Sequence, residues 1–185
     1  MKVIFLDIDG VLNTQQTFMK IYEEWKKTGE RRTEIDLERV GFLKEIVAAT
    51  DAKIVLSSSW RSALKIVDGK MESSRPKMID LIKIFTEYDL TIYDVTPNDN
   101  KRWRENEIKA WLEENDVESF IILDDDSYDL QSFLHKELIK TSLTKDDEMV
   151  TNMEPITGLC KEHVEEAIKI LNHTKKKSLG KEWKR

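Results

Sequence analysis

A chain of 185 residues is long enough to bury a core, and 36% charged against 39% hydrophobic residues make it polar without the aromatic poverty of a disordered chain. A net charge of -6 and a pI near 5.3 exclude a uniformly basic nucleic-acid-binding surface and leave room only for a local basic groove. Cys160 is the only cysteine, which excludes an intrachain disulfide and a cysteine-based zinc site and fits a reducing compartment.

In chain order, Lys2-Val3-Ile4-Phe5-Leu6 is rich in β-branched and aromatic residues and predicts a strand buried on both faces. Acids interrupt the apolar run directly after it, so the N-terminus lacks a signal-peptide pattern. No later stretch approaches the roughly 20 apolar residues of a membrane span. The expectation is a cytoplasmic protein with no membrane partner. Phe18, Ile21, Tyr22 and Trp25 recur at helical spacing, with Asn13 or Thr14 as cap and Gly29 as end. A second helix is expected from Asp36, with Leu37, Val40, Leu43, Ile46 and Val47 on one face, then a strand at Lys53-Ile54-Val55-Leu56.

Met78, Leu81, Ile82 and Phe85 mark a third helix, followed by a strand from Leu90 to Val95. Ile108, Trp111 and Leu112 mark a fourth, then Phe120-Ile121-Ile122-Leu123 a strand. Leu138 to Lys140 is a last short strand, and Val164, Ala167, Ile168 and Leu171 mark the terminal helix. Alternating strands and helices predict an α/β fold with a doubly wound, mostly parallel sheet and helices on both faces. No linker or internal repeat divides the chain. One domain is expected over 1–174, with a helical flap at about 14–35 and a basic tail at 175–185. His135, His163 and His173 lie far apart without ligand spacing and read as surface or helix residues.

The chemistry gathers at the strand ends. Asp7 and Asp9 follow the first strand, and in an open α/β sheet the ligand crevice lies outside the carboxyl ends of the strands. In a locally extended chain the two acids point the same way and repel, a conflict that Mg²⁺ would resolve, while Gly10 supplies a tight turn. The second strand ends in Ser57-Ser58-Ser59-Trp60-Arg61, whose hydroxyls can donate to a phosphate oxygen. Lys101, Arg102 and Arg104 follow the third strand, where a fixed cation can stabilise a transferring phosphoryl group. Asp124-Asp125-Asp126 ends the fourth, a crowding of acids that calls for a cation; the spacing of a calcium-binding loop is absent.

Asp-x-Asp-Gly-x-x-Asn at 7–13 resembles motif I of the haloacid dehalogenase (HAD) superfamily of phosphohydrolases. The resemblance implies a HAD-like Rossmannoid fold with a small or minimal cap, Asp7 as nucleophile and Asp9 as general acid/base. Ser58 resembles the motif II hydroxyl, with Ser57 as fallback. Arg104 takes the motif III position usually held by lysine, because Arg-x-x-Glu-Ile-x-x-Trp-Leu at 104–112 is similar to the HAD domains of Swiss Army Knife RNA repair proteins; Lys101 and Arg102 are its rivals. Asp125 resembles the motif IV ligand of Mg²⁺, with Asp124 a second ligand or a neighbour of the shell, and Asp129 a weaker candidate. Asp7, Asp9 and the backbone carbonyl of Ile8 complete the expected metal set. Gly10, Ser57, Ser59, Arg61 and Lys101 are the candidate substrate contacts.

The resemblance implies a Mg²⁺-dependent phosphomonoester hydrolase, acting on a nucleotide or polynucleotide end. Rival readings are a phosphatase for another small phosphoester or a phosphoprotein, and a metal-dependent module that binds phosphorylated ligands without turnover. Trp25, Trp60 and Trp103 are candidates for stacking on a base, with core or rim packing as the alternative for two of them. Oligomeric state is not legible.

Overall fold

The computed structural model describes residues 1–30, 32–67, 70–98, 103–134, 136–142 and 158–173. Lys101, Arg102, His135 and the basic tail lie outside them. Five strands form one sheet: β1 (Lys2–Leu6), β2 (Lys53–Leu56), β5 (Ile92–Val95), β6 (Ser119–Asp124) and β7 (Leu138–Lys140). Their order is β5-β2-β1-β6-β7, every pairing is parallel, and all five were expected. The chain runs outward from β1 through β2 to β5 and then returns to pair β6 on the other side of β1. The strand order therefore reverses between β1 and β6, which is where ligands bind in folds of this type.

Alternation along β1 divides the core. Ile4 and Leu6 join the apolar side chains of α2 (Leu37–Thr50), α3 (Pro76–Glu87) and α5 (Lys161–Asn172) on one face. Val3 and Phe5 join Ile108 and Trp111 of α4 (Arg104–Glu114) on the other. With both faces covered, each central strand must be apolar throughout, which is why these strands read as continuous hydrophobic runs. Phe5 meets Trp111 edge to face at 5.4 Å and Phe120 at 5.8 Å.

The helix ends follow their expected chemistry. Thr14 caps α1 (Gln15–Thr28) and Gly29 ends it in the left-handed conformation; the Asp36 carboxylate caps α2 by accepting from the Glu38 amide. Two further features stand out. The apolar stripe of α1 is not core: Tyr22 and Trp25 are each 52% exposed, stacked on one another, and Thr17 is the helix's buried residue. A hairpin of β3 (Lys65–Val67) and β4 (Lys70–Glu72) follows the second strand, too short to show a period. Among the described residues, no helix is long and apolar enough to cross a membrane.

Removing the Phe5 ring leaves a cavity under the central strand. Phe5→Ala is expected to lower the unfolding free energy by about 3–5 kcal/mol, measured by denaturant titration.

Candidate active site

The parallel ladder continues one residue past each strand and so sets the site. The Asp7 amide donates to the Leu123 carbonyl at 2.9 Å, that of Ser57 to Leu6 at 2.8 Å, that of Thr96 to Leu56 at 3.0 Å and that of Thr141 to Asp124 at 2.9 Å. These bonds align the expected acids and hydroxyls along one edge of the sheet. Asp7, Asp124 and Asp125 each bring a carboxylate oxygen within 4.8 Å of the others. Gly10 makes the crowding possible. Its φ of +73° suits glycine, and a Cβ there would lie 2.4 Å from the Asp125 carboxyl carbon. The Gly10 carbonyl is held by the Thr141 hydroxyl at 2.8 Å.

Arg104 is the candidate cation that the structure brings to these acids. Its Nη1 donates to Asp124 Oδ2 at 2.6 Å and lies 3.3 Å from Asp7 Oδ2. Burial opposes the guanidinium's charge, but the combined pull of Asp124 and Asp7 outweighs it and holds the group above its ordinary range. Burial also dominates at Asp7 and raises its carboxyl, against the pull of Arg104 and a hydrogen bond from Ser58. Asp124 moves the same way for the same leading reason, with Asp7 as an added repulsion. Half-buried Asp125 is pushed up to about 6 by burial and then by Asp7. Three crowded, poorly solvated carboxylates form a hard oxygen donor set that fits a divalent cation such as Mg²⁺.

Other expected residues divide by location. Asp9 stands apart from the three-acid group: its Oδ1 accepts from Asn13 Nδ2 at 2.9 Å and its Oδ2 from Trp60 Nε1 at 3.0 Å. A turn follows the first motif I acid, closed by bonds onto the Ile8 carbonyl. Within that turn the Ile8 carbonyl accepts from Val11 at 3.2 Å and from Leu12 at 2.9 Å.

Ser58 is buried beside Asp7 and its hydroxyl contacts that carboxylate, whereas the Ser57 hydroxyl accepts from Thr96 at 3.5 Å toward β5. Exposed Ser59 lines a cavity of about 360 Å³ together with Arg104 and Asp129. A neighbouring cavity of about 480 Å³, along Thr96, Trp111 and Asn115, shares Arg61, Ser62 and Asn98 with it but lies to one side of the acids.

Arg61, expected at the substrate, lines the cavity of about 360 Å³ and is also tied into the structure beneath it. Its Nη2 pairs with buried Glu107 at 2.5 Å and its Nη1 donates to the Ser58 carbonyl at 2.7 Å, so it buttresses the serine loop. Asp129 accepts from the Arg104 amide at 3.1 Å; it caps α4 from a distant loop and holds Arg104 at the helix start. Sequence reasoning missed Asn13, Trp60 and Thr141 as site residues. The Asn in motif I and a Trp two residues after Ser58 were the available signals.

A family model described as the HAD domain in Swiss Army Knife RNA repair proteins matches residues 3–164. The chain belongs to this family. No curated protein and no solved structure matches it. The HAD domain has the α/β Rossmannoid fold that the five-stranded parallel sheet displays, and the family supports a phosphatase acting on a phosphorylated substrate.

The raised Asp125 carboxyl sets a sign. Between the ordinary 3.8 and about 6 the folded HAD domain holds a proton that the unfolded chain has lost, so this group's contribution to stability falls as pH rises through that window. Asp125→Asn is therefore expected to raise the melting temperature of the metal-free protein near neutral pH by about 2–4 °C, after discounting for solvent screening. The gain should vanish near pH 4, and the variant should lose the stabilisation that added Mg²⁺ gives the wild type.

Proposed function

We propose that the protein is a Mg²⁺-dependent phosphomonoester hydrolase working through an aspartyl-phosphate, with a nucleotide or polynucleotide end as substrate. The observation that carries the reading is the different company of the two motif I acids. Asp7 lies among Asp124, Asp125 and Arg104, where a phosphate dianion and a cation would meet. Asp9 is outside that three-acid group and is held by neutral donors.

In the proposed reaction a carboxylate oxygen of Asp7 attacks phosphorus and the bond to the leaving oxygen breaks, that oxygen taking a proton from Asp9. Water then attacks the aspartyl-phosphate and gives a proton back to Asp9, which frees Asp7 and inorganic phosphate. The Ser58 hydroxyl and Arg104 hold the equatorial phosphate oxygens, where charge accumulates. Asp7, Asp124 and Asp125 would hold Mg²⁺, which supplies charge neutralisation between nucleophile and phosphate. The segment 14–35 contributes the single helix α1 as a minimal flap over an otherwise open crevice.

The substrate class rests on the rim. Trp103 and Tyr128 are 54% and 72% exposed and stack on each other at 5.5 Å and 24°. They directly precede Arg104 and its cap Asp129, so an aromatic platform flanks the proposed phosphate site. Such surfaces suit the unpaired bases of a nucleic-acid end, and stacking contributes about 1–3 kcal/mol per base. Trp25 and Tyr22 on α1 form a second exposed stack, whereas Trp60 is buried and cannot take this role.

Two measurements test the reading. Phosphate release from p-nitrophenyl phosphate should require Mg²⁺, stop with EDTA and fall to background in Asp7→Asn. Turnover by that variant, or ligand binding with no turnover by the wild type, would overturn it. Trp103→Ala and Tyr128→Ala should reduce kcat/KM on 3′- or 5′-phosphorylated oligonucleotides by about 5- to 100-fold and leave p-nitrophenyl phosphate turnover within about twofold. Equal losses on both would favour a small phosphoester or a phosphoprotein.

A further inference from the structure

The Asp9 carboxylate carries one donor on each oxygen, and neither donor can take a proton from it. The indole Nε1 of Trp60 only donates. On Asn13, the side-chain oxygen accepts from the Gly10 amide at 3.1 Å, which fixes the amide orientation and turns its Nδ2 toward Asp9. A proton on Asp9 therefore cannot be shared with either donor and must occupy a lone pair that faces away from both; the group itself is half-buried.

Trp60 is itself held from three directions. It is only 2% exposed, its backbone amide donates to the Ser58 hydroxyl at 3.3 Å, and the Lys77 ammonium lies 4.2 Å from its ring centroid. A cation over the indole face adds an attraction that fixes the ring's tilt. Ser58, whose hydroxyl contacts Asp7, and Trp60, which grips Asp9, are two residues apart on one short turn at 58–60.

We propose that Trp60 is a positioning residue: its Nε1–H and the Asn13 amide lock the plane of the Asp9 carboxylate so that the proton Asp9 delivers points at the leaving oxygen. The proposal rests on the acid role given to Asp9 above. An acid matters when the departing alkoxide is a poor leaving group and little when it is p-nitrophenolate, so a loss of aim has a signature that a general loss of structure lacks.

The test compares kcat/KM for an alkyl phosphate and for p-nitrophenyl phosphate, because this parameter reports the step in which the leaving oxygen departs. Trp60→Phe, which keeps a ring and removes the donor, should lower kcat/KM on the alkyl phosphate by roughly 10- to 100-fold and on p-nitrophenyl phosphate by less than about threefold. Should Trp60→Phe fold poorly, as judged by its melting temperature, 3-benzothienylalanine at position 60 replaces Nε1–H by sulfur at nearly constant shape and should give the same split. Equal losses on the two substrates, or none, would overturn the proposal. Asp9→Asn serves as the reference. If it shows the leaving-group split and Trp60→Phe does not, the positioning role fails alone; if Asp9→Asn is fully active, the acid assignment itself has failed.

Discussion

Repulsion among Asp7, Asp124 and Asp125 is the constraint on which the rest of the site depends. Carboxylates whose oxygens approach within 4.8 Å in a poorly hydrated crevice lower the stability of the fold that holds them. They persist because the backbone gives them no alternative. Asp7 and Asp124 sit on adjacent parallel strands whose ladder bonds run up to the acids themselves, and Gly10 offers Asp125 a space that any side chain would fill. Among the described residues, Arg104 is the cation that meets this group, and it is fastened by the Asp129 cap on α4. A region that stores repulsion in this way is strained by its own function, in keeping with the common opposition between activity and stability.

The sheet was legible in the sequence for a physical reason. A strand covered on both faces must be apolar at every position, and runs such as Phe120 to Leu123 meet that requirement whatever surrounds them. Helix ends were legible where the signal is local, as with Thr14, Gly29 and Asp36. The contacts that could not be read join residues far apart in the chain: Asp129 capping α4, Glu107 pairing with Arg61, and Trp60 reaching Asp9 across 51 positions. Residue type narrows what such groups can do, but only packing selects the partner. Arg61 illustrates the point, since an arginine after a serine loop fits a phosphate contact as well as a buried pair.

The stripe on α1 exposes a different ambiguity. Periodic apolar residues specify that a segment is a helix with one unlike face, and say nothing about what covers that face. Phe18, Tyr22 and Trp25 have the spacing of core residues, yet they face solvent, on the element that directly follows the motif I turn. The same spacing in α2, carried by the aliphatic Val40, Leu43 and Ile46, is core. What separates the two is connection: α2 leads straight into β2 and must pack on the sheet, whereas α1 is followed by a further segment that frees it from doing so.

The two motif I acids differ in one respect that organises the proposed chemistry. A carboxylate met by a guanidinium gives up an ion pair when it takes up a proton, so Arg104 pulls Asp7 toward the anion against the burial that raises it. Asp9 is met instead by the neutral N–H donors of Asn13 and Trp60. Neutral donors also orient without adding charge to a site that must receive a dianion. Separate means of holding two acids only two residues apart would let one turn of chain present the proposed nucleophile and the proposed proton carrier. Each keeps its own role because the partners come from different strand ends, Arg104 after β5 and Trp60 after β2.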